Sequence, residues 1–169
     1  MTEKDKVIEE KVKYNGIFNF KDVYQFIFRW LIENGYEVTE DKYQEEIQGE
    51  EKKIDIGWNA KLTISDYFQY EIKLSYRILN LKKIEADKDG KRVKTNSGTF
   101  ELKIAGFLAK DYENTWEKNP MMKFFRGVYD RYIVEGIINK YKKKIREDVD
   151  ELLEDIKGYL ATAGAKQLG

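Results

Sequence analysis

The longest regular pattern in the chain is an alternation of apolar and polar residues that runs from Lys53 to Ile78. Its first half, KIDIGWNAKLTI, has apolar residues at every even position and polar residues or Gly at every odd one. The alternation resumes at Phe68, after the short segment 65–67. Because successive side chains of a strand point to opposite faces, this pattern predicts a long antiparallel hairpin that is apolar on one face and solvated on the other.

Shorter alternations predict the other strands of the sheet. They cover residues 12–18, 36–48 and 100–108. Asp89-Gly90 is a strong hairpin signal between the central pair and the last strand. The small polar residues at 95–98 predict a second loop. The part of the sheet that follows the first helix is therefore expected to be a meander of four or five strands.

Two regions have the apolar spacing of amphipathic helices. The first is predicted from about Phe20 to Glu33, with Asn19 as its N-cap and Asn34-Gly35 as its C-cap. The second opens at Pro120, a residue that the first turn of a helix tolerates well. It is either one bent helix or two packed helices, and small residues near its end predict a frayed tail at 164–169.

These elements predict an α+β fold made of one domain over residues 1–163. An antiparallel β-meander sheet would pack against the N-terminal helix and a long C-terminal helical segment, because its apolar face must be covered. The element order resembles the helix-grip arrangement of START-like ligand-binding domains, in which a curved antiparallel sheet wraps a long C-terminal helix. In sequence style the chain also resembles small uncharacterised archaeal proteins.

Composition narrows the chemistry that this domain can perform. The 169 residues include 31 basic and 31 acidic ones, so no net charge draws the chain toward nucleic acid. The absence of Cys and His excludes disulfides, thiolate metal sites and the usual general base. We therefore expect no catalysis, no cofactor and no metal. The N-terminus lacks the apolar segment of a signal peptide, and no segment reaches the roughly 20 apolar residues of a membrane span, so a cytoplasmic location is expected.

The apolar face of the hairpin is rich in aromatic side chains, and the C-terminal helical region carries a further apolar stripe. With the helix across this face, the two sets would line a pocket for a small apolar ligand, in which tyrosine hydroxyls serve as polar anchors. The alternative is ordinary hydrophobic core. The candidate ligand-binding residues are Trp58, Phe68, Tyr70 and Tyr76 on the hairpin, and Met122, Phe125 and Tyr129 on the helical region.

The C-terminal region also contains a basic patch, formed by Lys140, Lys142, Lys143, Lys144 and Arg146. The patch indicates either binding to an anionic membrane or nucleic acid, or a solvated helix face whose charges pair with the acidic residues that follow. Two copies laid antiparallel would set this patch against acidic residues 147–155, which makes a homodimer through the helix a further hypothesis. The apolar seam of such a dimer would be Ile145, Val149, Leu152 and Ile156.

The opposite face of the predicted sheet is charged. Its residues form either cross-strand ion pairs, a recognition surface or a lysine–carboxylate pair for acid–base chemistry. They are Asp55, Glu71, Lys73, Arg77, Glu101 and Lys103.

The function predicted from the sequence is therefore a non-catalytic binding domain that holds a small apolar ligand between the sheet and the C-terminal helix. The alternative is a structural or adaptor protein that acts through self-association or protein contacts. A third possibility is a peripheral binder of anionic membranes or nucleic acid, although the balanced charge favours neither partner.

Overall fold

The structure, a computed structural model, describes residues 3–110, 120–132 and 135–168, without the side chains of residues 88, 122, 126, 129–132 and 163–168. Its strands are β1 (Glu3–Phe18), β2 (Glu37–Gln48), β3 (Glu51–Thr63), β4 (Phe68–Lys88) and β5 (Lys91–Lys110). Its helices are α1 (Phe20–Glu33), α2 (Pro120–Tyr132) and α3 (Glu135–Leu168). The strands form one antiparallel sheet in the order β1-β5-β4-β3-β2, which confirms the predicted α+β class.

Short turns connect the four strands of the meander. Gly49, with φ +66°, lies between β2 and β3, and the β4–β5 turn has φ +52° at Asp89 and +80° at Gly90. Positive φ at both central residues matches the right-handed twist of the strands, which explains the Asp-Gly pair. Between β3 and β4, the backbone N–H groups of Ile64 and Ser65 both donate to the carbonyl oxygen of Phe68.

The prediction of a loop at residues 95–98 is wrong, because these residues lie inside β5. Ser97 pairs with Ile17 on β1 and with Lys82 on β4, so this part of β5 has a partner strand on each side. Small polar residues look like a loop in the sequence, but ladder hydrogen bonds on both edges hold them extended. The meander therefore has four strands, and β1 completes the sheet.

β1 is longer than the predicted strand at 12–18, since it also includes the charged residues from Glu3 onward. It lies at one edge of the sheet and pairs only with β5. Charged side chains are common on edge strands, where they discourage pairing with other chains. Here they also form ion pairs: the Glu9 carboxylate lies 2.8 Å from the Lys103 ammonium and 3.0 Å from that of Lys6. Hydrogen bonds from Lys103 and Lys6 lower the pKa of Glu9 to about 2.

β4 contains a bulge at Leu79 and Asn80, where it has one residue more than β3 on one side and β5 on the other. Asn80 takes a left-handed conformation with φ +54° there. Opposite the bulge lies Gly98, and a Cβ added to it would be 2.9 Å from the Leu79 carbonyl oxygen. The bulge turns Leu81 into the apolar face and therefore shapes this end of the sheet.

Two helices, α1 and α3, cover the apolar face of the sheet. α1 begins as predicted, because the Asn19 side chain accepts from the Asp22 N–H. It packs beside α3: the rings of Phe26 and Tyr159 stack at 4.7 Å, and the Trp30 indole donates to Asp155 at 3.2 Å. The residues that α3 buries are Ile145, Val149, Leu152, Leu153, Ile156 and Leu160.

The apolar seam proposed for a homodimer is therefore used within the chain. Ile145, Val149 and Leu152 have no exposed surface, and Ile156 has almost none. Because these side chains pack in the core, they cannot contact a second copy without unfolding α3. A dimer through this helix would have to use the outer, charged face of α3.

The described helical residues of the C-terminal region are Pro120–Tyr132 and Glu135–Leu168, and residues 133–134 between them lie outside the description. The predicted tail at 164–169 is helical as far as Leu168. Residues 111–119 lie outside the description. None of the described helices is long and apolar enough to cross a bilayer.

We predict that Gly98→Ala lowers the free energy of unfolding by about 1–3 kcal/mol, because the added methyl meets backbone atoms that cannot move independently. The control is Gly158→Ala on α3, where an added Cβ has no neighbour within 4 Å. This substitution should raise the free energy of unfolding by about 0.5–1 kcal/mol, because Gly weakens a helix interior. Urea melts of the two variants measure the free energy of unfolding of each. An unchanged value for Gly98→Ala would contradict the close contact.

Candidate ligand-binding site

The centre of α3 lies directly against the sheet. The contact is closest at Gly106 of β5, where an added Cβ would be 3.1 Å from side-chain carbons of Ile8, Ile145 and Val149. Glycine permits this close approach, because an added Cβ would require these side chains to move by a few tenths of an ångström. At this point no space remains between the helix and the sheet.

Trp58 lies at the centre of an aromatic cluster between the sheet and α1. Its ring makes edge contacts with Tyr24 at 4.8 Å and with Tyr76 at 5.0 Å. The Glu40 carboxylate accepts from the Trp58 indole at 2.8 Å and from the Tyr24 hydroxyl at 2.6 Å. Burial and the hydrogen bond to Glu40 raise the pKa of Tyr24 to about 12. The cluster is fixed by packing and by one shared acceptor.

Phe68 and Tyr70 form a second cluster, under α3. Their rings lie 5.2 Å and 6.3 Å from that of Tyr141. The buried Tyr36 hydroxyl nearby donates to Asp148 at 3.0 Å, and Lys144 lies 3.2 Å from the same carboxylate. Burial raises the pKa of Tyr36 well above its usual range, and the Asp148 charge raises it further. A buried carboxylate is thus held between a hydroxyl and an ammonium.

The predicted ligand-binding residues of the hairpin all lie in the core. Trp58, Phe68, Tyr70 and Tyr76 are each less than 5% exposed. No described residue forms a hydrogen bond with the buried hydroxyls of Tyr70 and Tyr76. A buried hydroxyl without a partner costs free energy, so these two hydroxyls destabilise the core slightly.

The predicted residues from the helical region lie on α2, apart from the hairpin aromatics. Phe125 is 51% exposed, and the side chains of Met122 and Tyr129 lie outside the description. Further exposed apolar side chains on the same helix are Met121, Phe124 and Val128. Among the described residues, no pocket is lined by both α2 and the hairpin.

An open cleft lies instead at the end of the sheet where α1 begins. Its volume is about 660 Å³, within the range of about 300–1,000 Å³ that is usual for small-molecule sites. Its apolar floor comes from four elements of the fold and consists of Phe20, Tyr43, Ile54 and Leu81. The polar residues that line it are Lys21, Glu45, Glu50, Lys52, Lys82, Lys83 and Asn96.

Local structure explains why this cleft is open. The β4 bulge places Leu81 near Ile54 on the apolar face, next to the first residues of α1. The Phe20 N–H donates to the Asn96 side chain at 3.2 Å, which ties the start of α1 to β5. A concave space remains at this end of the sheet, and its floor residues Ile54 and Leu81 are almost fully buried.

The cleft favours negative charge. Lys52 pairs with Glu45 at 2.8 Å, and this hydrogen bond raises the pKa of Lys52. Lys21, Lys82 and Lys83 form no ion pair with any described residue. The N-terminus of α1 adds partial positive charge at the same place. An anionic group above the apolar floor would meet several cations.

Most of the predicted basic patch is engaged within the chain. Lys142 lies 3.4 Å from Asp5, and Lys144 lies 3.2 Å from Asp148. Arg146 donates to the Val7 carbonyl at 3.4 Å. Lys143 is 4.0 Å from Glu147, and for Lys140 no ion pair with a described residue is present.

The sequence pattern placed Glu71 on the opposite, charged face of the sheet but did not indicate that it is buried. Glu71 is fully buried, and its carboxylate lies 2.7 Å from the Lys4 ammonium. Burial favours the neutral acid, but the hydrogen bond and charge of Lys4, with smaller contributions from the Asn59 amide and the Lys73 charge, outweigh it and lower the pKa of Glu71. Lys4 belongs to the charged start of β1, which sequence reasoning left outside the sheet.

A scan against protein-family models, a search of curated proteins and a search of solved structures found no match to this chain. Within residues 3–110, 120–132 and 135–168, no group of three or more acidic side chains is arranged to hold a metal ion. The function is therefore argued from the geometry of the chain itself.

We predict that the Lys4–Glu71 ion pair makes the free energy of unfolding decrease at acidic pH. Because the pKa of Glu71 is lowered in the folded state, its contribution is present above the unfolded value of 4.5 and is lost as the pH falls through the folded value. In Glu71→Gln, urea melts should show a smaller loss of stability between pH 6 and about pH 3 than in the unmodified chain. Lys4→Ala should also reduce this loss, since the pair is then absent; an unchanged pH dependence in both variants would contradict the role of the pair.

Proposed function

We propose that this protein is a non-catalytic binding domain for a small, mainly apolar ligand that carries a negatively charged group. The ligand would lie in the cleft between β2, β3, β4 and the start of α1. The observation that carries the proposal is the cleft with an apolar floor beneath a rim of lysines. Sites for small molecules are usually concave with apolar walls and a few polar groups, and this cleft shares the concave shape and the apolar floor but has a more polar rim.

Each part of the cleft supports one feature of the ligand. Ile54 and Leu81 are only 2% and 6% exposed and form a closed apolar floor, while the half-buried Phe20 beside them would pack against an apolar body. Tyr43, which is 47% exposed, would provide a ring face along one side. Lys83, which pairs with Asn96 of the cleft, and Lys21 would attract a carboxylate or a sulfonate, because neither has a carboxylate partner among the described residues.

The cleft is better supported than a space under the centre of α3. Side chains of α3 contact the sheet at Gly106, and the hairpin aromatics pack against α1 and α3. A ligand there would have to displace these groups, at a free-energy cost similar to that of opening a core. Binding in the cleft requires no such displacement.

The test uses 1-anilinonaphthalene-8-sulfonate, a fluorescent probe with an aromatic body and one anionic group. We expect saturable binding to the unmodified chain and an affinity at least tenfold lower for the double variant Lys21→Glu/Lys83→Glu, equivalent to about 1.4 kcal/mol. The matched control is Lys91→Glu/Lys94→Glu, which makes the same charge change on exposed residues of β5 outside the cleft lining.

A second control separates the cleft from α2. Phe124→Ser/Phe125→Ser removes exposed apolar surface from α2 and should leave the saturable binding unchanged. If this variant abolished binding while Lys21→Glu/Lys83→Glu did not, the probe would occupy α2, and the cleft would not be the site.

One observation favours a second function, that of an adaptor acting through protein contacts. Phe124 and Phe125 on α2 are 69% and 51% exposed, and Met121 and Val128 extend the same apolar surface by one turn on each side. Contiguous exposed apolar surface on a helix marks interaction sites in many proteins. The basic patch gives less support to membrane or nucleic-acid binding, because most of its charges contact acceptors within the chain.

We predict that, if the chain self-associates, Phe124→Ser/Phe125→Ser lowers its association constant by at least tenfold. The reason is that two large apolar side chains contribute most where an interface excludes water. Sedimentation velocity over a range of protein concentrations measures this. If the chain is a monomer at every concentration, the hypothesis of self-association through α2 is rejected. If it forms a dimer that the substitutions do not affect, the interface lies elsewhere.

A further inference from the structure

A shallow groove of about 530 Å³ crosses the polar face of the sheet, on the side opposite α1 and α3. It exists because two neighbouring positions in the middle of the sheet carry almost no side chain: Gly57 of β3 pairs with Ser75 of β4. On either side, the cross-strand row continues to Lys42 on β2 and to Lys103 on β5. The groove is therefore a gap in a row of long, charged side chains.

The backbone does not require glycine at position 57. An added Cβ would meet nothing closer than the Lys42 Cβ at 3.5 Å, an ordinary contact. Glycine inside a strand weakens it and often marks either a bulge or a place where a ligand approaches the backbone. A bulge is present in β2 at this point, between Glu40 and Lys42, but its geometry leaves room for a side chain on β3.

Positive charge predominates around the gap. Five cationic side chains and two carboxylates line the groove, namely Lys11, Lys13, Lys42, Arg77 and Lys103 with Asp55 and Glu101. Both carboxylates already have cationic neighbours, since Asp55 lies 3.6 Å from Arg77 and Glu101 lies 3.6 Å from Lys13.

Two of the lysines lack any such partner. Lys11 and Lys42 form no ion pair with a described residue. Lys11 also lies directly opposite Lys103 in the β1–β5 pair, and like charges at such positions are destabilising. The charge of Lys103 is balanced by the Glu9 carboxylate at 2.8 Å, whereas Lys11 has no such partner among the described residues. This arrangement does not serve stability, and a bound anion would relieve it.

We propose that this groove is a binding site for a small phosphorylated molecule, separate from the cleft on the other face of the sheet. Its phosphate oxygens would lie over Gly57 and accept from the Ser75 hydroxyl, with Lys11, Lys42 and Lys103 around them. Lysine and arginine are the usual partners of phosphate oxygens, and a missing side chain lets the anion reach the strand.

The size of the groove favours a compact ligand over a long polymer. Lys42 and Lys103 lie three strands apart, about 14 Å between backbones, and their flexible side chains can converge on the gap. Asp55 and Glu101 border the same side of the groove, where a continuous polyanion would meet negative charge. A molecule with one or two phosphate groups avoids this repulsion.

The experiment is an NMR titration of the full ¹⁵N-labelled chain with sodium pyrophosphate at constant ionic strength. We expect saturable shifts centred on the amides of Gly57 and Ser75. Gly57→Val, which fills the gap without changing charge, and Lys11→Ala/Lys42→Ala, which removes the unpaired cations, should each weaken binding at least tenfold. The matched control Lys91→Ala/Lys94→Ala removes two exposed lysines outside the groove and should leave the affinity unchanged.

Several outcomes would overturn the proposal. These are the absence of saturable shifts, an equal loss of affinity in the control, or binding that neither groove variant weakens. Should Gly57→Val fail to fold, the lysine pair still decides. Tighter binding to a single-stranded RNA, with shifts spread beyond the groove, would also overturn the small-ligand assignment.

The source of the phosphate is distinguished by sedimentation with vesicles. Vesicles of phosphatidylcholine with or without phosphatidylinositol bisphosphate are mixed with the chain after pyrophosphate binding has been established. Retention only on the phosphorylated lipid, lost in Gly57→Val, assigns a lipid headgroup. No retention assigns a soluble phosphate ester.

Discussion

The structure depends above all on covering one apolar face of an antiparallel sheet. The face is continuous across β1, β5, β4 and β3, and its residues pack against α1 and α3. The closest contact is at Gly106, where α3 touches two strands at once. Burial of this face is the largest favourable term available to a chain that has no cysteine for disulfides. The aromatic clusters around Trp58 and Tyr141 follow from the same contact.

Both candidate binding sites arise from the limits of this arrangement. Near the start of α1 a cleft remains above Ile54 and Leu81, which are themselves almost fully buried. The polar face has no cover among the described elements, and its shape is set by side-chain length alone. Where the row of long side chains is interrupted at Gly57 and Ser75, a groove opens. One face therefore offers apolar surface and the other offers charge.

Much of the fold could be predicted from local patterns. The alternation of the central hairpin and the cap at Asn19 depend only on neighbours in the chain, and both predictions agree with the structure. Predictions failed where partners decide the conformation. Residues 95–98 look like a loop but are held by two strands, and the charged residues before position 12 belong to β1 because β5 is available beside them.

The candidate site was harder to predict, for a related reason. The sequence identified the aromatic residues of the hairpin as one apolar face, and they share it, but they pack as core. The cleft combines Phe20, Tyr43 and Leu81, which are far apart in the chain and carry no common motif. Only the β4 bulge and the position of α1 bring them together.

The sequence by itself thus determined the central hairpin, the first helix and which face of each is apolar, because these properties follow from the period of the side chains along the backbone. The tertiary structure alone decided which strands are neighbours, how closely α3 approaches Gly106 and where apolar surface or unpaired lysines remain open. These depend on contacts between residues distant in the chain, which no local period encodes.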